Sequence, residues 1–300
     1  MRKIILLAFV IFGTISCNQD LLDEVDEKVL AESVVFSDLV LTRAYVDATY
    51  REVLVGQGFQ GNTLDAYSDN VHYVQNAGSY DFLGGVMDPD NVKPINGDLW
   101  WVTYKSVRRI NIFFKAIESS PLSESNKNLL TAEMKFLRAW TYARAIDHYG
   151  GVVIYEDVFD LSNQDFKKPR NTYEECLAYV IKDLDDAAAV LPMRDMSGRA
   201  SGIAALALKS RVLLSAASLL HNPTKDQSKW LAANQASKAV IDIIGANSLH
   251  PNYAEVFQKT TVETIWARNH TIDNGHNVNT RNNPNGYNGW GGNTPLQGLV

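Results

Sequence analysis

From Ser37 onward, apolar residues recur at helical spacing almost throughout, which predicts a mainly α chain. SDLVLTRAYVDATYREVLV (37–55) places Leu41, Tyr45, Ala48 and Glu52 or Val53 on one stripe. DLWWVTYKSVRRINIFFKAIES (98–119) does the same with Trp100, Tyr104, Val107, Asn111 and Phe114, and Asp98 is placed to cap it. SESNKNLLTAEMKFLRAWTYARAIDHYGG (123–151) starts with Ser123 in cap position and stops at Gly150-Gly151. NTYEECLAYVIKDLDDAAAVLP (171–192) starts after Asn171 or Thr172, carries acids in its first turn and ends before Pro192. SGIAALALKSRVLLSAASLL (201–220) and SKWLAANQASKAVIDIIG (228–245) complete a set of six. The helices follow one another in pairs, and Ala204, Ala205, Ala207, Ala216 and Ala217 permit close crossings. The expected fold is a tetratricopeptide-like stack of helical pairs, although no strict period of about 34 residues survives. ETIWAR alternates instead, so Trp266 is expected in a short strand.

Two stretches break the helical pattern, 56–98 and 267–295. Both combine Gly, Asn and aromatic residues, and the second is unusually dense in Asn. Loops of this length in a compact domain are usually functional or disordered, and the aromatic content argues against disorder. A ligand is expected there.

The amino end changes the picture of location. Arg2 and Lys3 precede an uncharged apolar run, Ile4 to Phe12, and Gly13-Thr14-Ile15-Ser16 leads to Cys17. A permanent membrane helix needs about 20 apolar residues, so the run fits an export signal. Thr14-Ile15-Ser16-Cys17 resembles the bacterial lipobox, with Thr14 where Leu is usual. Residues 1–16 are read as a lipoprotein signal peptide, 17–35 as an acidic tether behind a lipidated Cys17, and 36–300 as the folded domain. Removing the signal leaves 26 basic against 34 acidic residues, net −8, which argues against nucleic acid as a partner. With Cys17 acylated, Cys176 has no disulfide partner, and it shares the apolar side of its helix with Tyr173, Val180 and Leu184 as an inert buried thiol.

Catalytic and cofactor signals are weak. Gly56-Gln57-Gly58-Phe59-Gln60-Gly61 fits G-x-G-x-x-G, but a helix precedes it where a dinucleotide site needs a strand. Asp88-Pro89-Asp90-Asn91 lacks the Gly and Glu of a calcium loop and reads as a turn. His270 and His276 have no third ligand at a sensible spacing. No nucleophile elbow, zinc-protease motif or P-loop is present. The chain is therefore read as non-catalytic, with neither cofactor nor metal assigned.

Several stretches resemble the SusD/RagB family of outer-membrane nutrient-binding lipoproteins. DLWWVTYKSVRRIN carries Trp100, Tyr104 and Asn111 in the family's register. AEMKFLRAWTYARAIDHYGGVVIY is similar to the hallmark FLRA…YGG helix and turn, through Glu133, Phe136, Leu137, Arg138, Ala139, Tyr142, Tyr149, Gly150 and Gly151. Val153 stands where the family usually has Pro. GRASGIAALALKSRVLLSAAS follows a third family segment, and NPNGYNGWGGNTPLQGLV a fourth, with Leu296 and Gly298 as departures. Family members continue beyond such a segment, so the chain is expected to be incomplete at its carboxyl end. The resemblance implies a surface-exposed, lipid-anchored outer-membrane protein of Bacteroidota that captures oligosaccharides. It implies a helical stack facing a SusC-like TonB-dependent β-barrel transporter, with the irregular loops holding the glycan. The alternatives are a helical protein-interaction scaffold, or a non-glycan nutrient such as peptide.

Sugars are bound by flat apolar faces together with amides, carboxylates and guanidinium groups. The candidates of that chemistry are Asp65, Asn70, Tyr73 and Tyr80 in the first loop, Trp101, and Tyr287 and Trp290 in the second. Trp100 is assigned to the core by its stripe, whereas Trp101 is offset by one position. Turn formation competes on equal terms as the role of Asp65 and Asn70, and structural packing as that of Tyr287 and Trp290.

Overall fold

Side-chain caps place most helix ends where the sequence predicts them. The computed structural model of the chain describes residues 32–54, 64–74, 82–86, 99–158, 167–245, 249–271, 275 and 278–296. These contain helices α1 (Glu32–Ser37), α2 (Leu39–Val53), α3 (Leu99–Glu118), α4 (Glu124–Tyr149), α5 (Tyr173–Val190), α6 (Gly202–Ala217), α7 (Gln227–Ile244) and α8 (Val278–Asn282). Strands β1 (Val71–Tyr73) and β2 (Asn293–Pro295) form one antiparallel ribbon. Asp38, Ser123 and Ser201 each accept a main-chain N–H at the start of α2, α4 and α6. Thr172 and Glu175 close a full capping box on α5, and Gly150 and Gly245 end α4 and α7. Asp98 and the 56–61 and 88–91 motifs lie outside the described residues.

Helices α3 to α7 pack in chain order, each on the next, and α2 lies across α3 and α4. α4 is the centre: Leu130, Phe136, Leu137, Tyr142 and Ile146 are all buried, so it is enclosed nearly all round. α7 is the edge of the stack and buries only Ala233 and Val240. Ala204, Ala205, Ala216 and Ala217 are buried on α6, as a close crossing requires. The helical-pair stack read from the sequence is the fold. Among the described residues no helix is long and apolar enough to cross a membrane.

The inward faces of α2 and α3 differ from the expected stripes. Thr42, Val46, Thr49, Tyr50 and Val53 are buried on α2, with Leu41 and Tyr45 only part-buried beside them. Thr42 Oγ1 donates to the Asp38 carbonyl (2.7 Å) and Thr49 Oγ1 to that of Tyr45 (2.9 Å), so the hydroxyls go inside already paired. On α3 the small Thr103 and Ser106 face inward with Ile110 and Phe113, while Trp100 and Tyr104 cover the flank. Trp266 is in no strand. Its indole packs edge-on against Phe136 and Trp140 and donates to the Gly198 carbonyl (2.9 Å), closing the core from outside the helices. α1 begins inside the segment read as tether, and its Phe36 is buried against Tyr45 and Phe113.

The residues of the FLRA…YGG helix and turn and of the Trp100–Asn111 stretch are architecture. After α4, residues 152–156 are in neither helix nor strand; the Asn171 N–H donates to the Val152 carbonyl (3.0 Å), and side chains take most of the remaining main-chain groups. The Tyr104 hydroxyl accepts from the Val153 N–H (3.0 Å), and that of Tyr142 from Tyr155 (2.9 Å). Asn111 donates to the Tyr155 carbonyl (2.8 Å), Asn171 accepts from Ile154 (3.0 Å), and the Cys176 thiol donates to the Val152 carbonyl (3.3 Å). Burial pushes the Tyr104 hydroxyl up to about 12. A Cβ on Gly151 would stand 2.1 Å from the Asn171 carbonyl oxygen, which only glycine avoids.

Two buried charges fix the helices to one another. Glu133 is 2% exposed and is bonded by Arg43, by the Tyr50 hydroxyl (3.0 Å) and by Arg199 (3.2 Å). Tyr50 in turn accepts from the Ala200 N–H (2.8 Å), so one carboxylate ties α2, α4 and the approach to α6. Arg138 makes a two-pronged pair with Asp183 of α5 (2.7 and 2.9 Å), its guanidinium lying over Phe114 and Tyr179.

Candidate functional site

The ribbon joins the two loops that broke the helical pattern. Val71 pairs with Pro295, His72 with Thr294 and Tyr73 with Asn293. Two further bonds extend it: the Val74 N–H donates to the Gly292 carbonyl (2.9 Å) and the Leu296 N–H to that of Asn70 (2.8 Å). Segments more than 200 positions apart thus form one surface element, with Val71 and Tyr73 turned inward and His72 outward.

A tight turn leads into β2, and its composition explains the density of Gly and Asn. The Tyr287 N–H donates to the Pro284 carbonyl (3.0 Å), Trp290 to Thr280 (2.9 Å), Gly291 to Asn283 (2.9 Å) and Gly292 to Arg281 (2.7 Å). Asn282 Oδ1 accepts from both the main chain (3.1 Å) and the side chain (2.7 Å) of Asn293. A Cβ on Gly289 would fall 1.9 Å from the Asn283 carbonyl oxygen, so the turn cannot close around a larger residue. The backbone under Tyr287 and Trp290 is therefore held by its own hydrogen bonds.

On this turn Tyr287 is 77% and Trp290 54% exposed, and the Arg281 guanidinium sits 5.6 Å from the centre of the Trp290 ring. Both rings are exposed on a backbone held by its own hydrogen bonds, a property that stacking on a sugar ring would use. Tyr73 is different. It is 3% exposed, under Gly292, so it anchors the ribbon and offers no face to a ligand. Asp65 opens a 3₁₀ turn (Leu64–Tyr67) and its carbonyl accepts from the Ser68 N–H (3.1 Å) and hydroxyl (2.7 Å), leaving its side chain exposed. Asn70 is exposed at the end of the ribbon. Trp101 is 63% exposed on α3, which belongs to the helical stack, so the ribbon unites only part of the candidate set. Cys17 and Tyr80 lie outside the described residues. Arg281 and His72 were missed from the sequence, since nothing in their spacing marks them and only the pairing of distant loops brings them to this surface. Among the described residues no group of three His, Cys, Asp or Glu is arranged to hold a metal ion.

Comparison with known proteins agrees with this architecture. The SusD-like family, described as starch-binding and associating with the outer membrane, has a sequence model that matches residues 20–214. The SusD-like protein P25 of Formosa agariphila is 25% identical over 287 residues, covering 89% of this chain and 51% of its own. The crystal structure of a SusD-like protein from Bacteroides fragilis superposes with a TM-score of 0.69 at 26% identity, over 91% of this chain and 54% of the other. A laminarin-binding SusD-like protein of known structure gives 0.69 at 23% identity, over 87% and 62%. The chain spans about half the length of the SusD-like protein P25.

Proposed function

The chain belongs to the SusD-like family, and from that footing we propose that it is a non-catalytic, lipid-anchored protein that binds oligosaccharides at the outer membrane and passes them to a SusC-like TonB-dependent transporter. The observation that carries the binding part is the exposed Tyr287–Trp290 pair on a turn whose backbone is fixed by hydrogen bonds. Two flat faces with little rotamer freedom to lose suit the C–H face of a sugar ring. The exposed side chains of Asp65, Asn70 and His72 lie on the same ribbon or the turn leading into it and offer acceptors and donors to hydroxyls. The laminarin-binding relative shares the fold, which supports a glucan-type ligand as the first to try. Affinity between micromolar and millimolar, about −8 to −4 kcal/mol, suits a ligand that must be handed on.

Lipidation of Cys17, the acidic tether and surface exposure belong to the same proposal. They rest on the basic head, the apolar run and the lipobox-like residues before Cys17. Isothermal titration of the full chain against a panel of oligosaccharides tests the binding function. At least one glycan is expected to bind, and replacing both Tyr287 and Trp290 by Ala is expected to weaken it about 10- to 100-fold without lowering the melting temperature. Retention of full affinity in that double variant moves the site elsewhere, and binding of peptides with no glycan binding refutes the glycan reading.

A further inference from the structure

A second concavity lies where both irregular loops leave the helical stack. It encloses about 350 Å³ between the end of α2, the 197–199 segment and residues 268–269. Its wall carries three guanidinium groups, Arg51, Arg199 and Arg268, against one carboxylate, Asp47. Asp47 is already taken by Arg199 (2.8 Å), which also reaches Glu133 (3.2 Å). Glu133 is in turn neutralised by Arg43. Among the described residues Arg51 and Arg268 have no acidic partner, and Arg268 places one donor on the Leu54 carbonyl (3.1 Å). With Arg43 and Glu133 included, four guanidinium groups stand against two carboxylates, a positive excess in a chain of net charge −6.

The wall is built rather than incidental. Tyr50 holds the 200 main chain and Glu133 at once, Trp266 donates to Gly198, and Asn269 donates to the Met196 carbonyl (3.2 Å). Rigid segments therefore present Arg51 and Arg268 to the opening. Guanidinium groups also donate to the hydroxyls of a neutral sugar, but a carboxylate or sulfate gains more from Arg51 and Arg268, since it accepts from them in planar, charge-assisted geometry. Asp47 and Glu133 do not compete, since Arg199 and Arg43 hold them. We propose that this cavity receives an oxyanion carried by the glycan, a uronate carboxylate or a sulfate ester, and so makes the protein selective for acidic oligosaccharides. The inference rests on the glycan-binding reading and adds the ligand's charge class to it.

The test uses the full chain and three matched probes: an oligogalacturonate, its neutral methyl ester, and a sulfated galactan oligosaccharide. The expected result is that one acid binds at least about tenfold more tightly than the ester, and that R51Q and R268Q each remove about tenfold of that preference while leaving ester binding unchanged. Which acid gains identifies the group. Raising salt from about 0.05 to 0.5 M is expected to weaken the acid and spare the ester. Equal affinity of acid and ester, or acid binding unchanged in both Gln variants, overturns the inference while the glycan reading stands. No binding of any of the three, with a peptide bound instead, overturns both.

Discussion

The pair formed by Arg138 and Asp183 allows a quantitative test of the claim that the hallmark residues are architectural. Their side chains are 10% and 3% exposed, the two bonds are 2.7 and 2.9 Å, and Phe114 and Tyr179 cover the guanidinium at 4.5 and 4.9 Å. Asp183→Ala removes both acceptors and leaves a buried cation between two rings. Breaking a buried pair from one side costs about 3–5 kcal/mol, because the remaining charge is uncompensated. For a chain of this size that lowers the melting temperature by about 6–15 °C. Replacing both residues, R138M with D183L, removes the stranded charge and refills the volume, so the double variant is expected to melt above D183A. Thermal unfolding by circular dichroism gives the three values, and titration at 20 °C is expected to show glycan affinity unchanged in each. A D183A protein as stable as the parent, or a double variant that melts no higher than D183A, would refute the reasoning.

Three smaller tests address other parts of the molecule. Cys176 is buried and hydrogen-bonded to Val152, and burial pushes its thiol up; alkylation mapped by mass spectrometry should therefore be slow in the native protein and at least about 100-fold faster in denaturant. Main-chain and side-chain bonds from Thr172 hold the Glu175 carboxyl below its ordinary range. Its contribution is present above the unfolded carboxylate pKa and is lost as pH falls through the lower folded value. E175Q, which can still cap, should lose less melting temperature than the parent between about pH 5 and 3, and equal losses count against the assignment. G289A forces a Cβ against the Asn283 carbonyl, so it should weaken glycan binding while the melting temperature stays within about 2 °C, whereas G151A, which clashes beneath the helical stack, should melt well below the parent.

What was legible in the sequence was local. Ser123 caps its helix, and Thr172 rather than Asn171 caps the next, because a hydroxyl three positions ahead of an orphan N–H decides the matter within one turn. The inward faces of α2 and α3 were misread because large aromatic residues dominate a hydrophobicity pattern, while close helix approach selects the small Thr42, Thr49, Thr103 and Ser106. Trp266 was misread because six alternating residues suit a strand and a packed loop equally, and only Phe136 and Trp140 decide between them. The ribbon was invisible. Each strand has three residues, too few for any period to register, and its pairing spans more than 200 positions. That is why Tyr73 reads as a ligand candidate in the sequence although it lies beneath Gly292.

The two kinds of information divide the molecule by physical role. Residues that satisfy buried groups, such as Glu133, Arg138, Tyr142 and Gly151, have partners fixed by a single geometry, and a substitution leaves a stranded charge, an unpaired amide or a steric clash. They make a recognisable pattern for that reason, and the pattern identifies the scaffold without touching the ligand. The exposed Tyr287, Trp290, Arg51 and Arg268 and the part-buried Arg281 make fewer side-chain bonds among the described residues. On the proposed reading their identities answer to the ligand, so substitutions there are expected to change selectivity at nearly constant stability. One scaffold can carry different surface residues, so the proposal places the ligand at the ribbon and the arginine-lined concavity rather than at the hallmark helix.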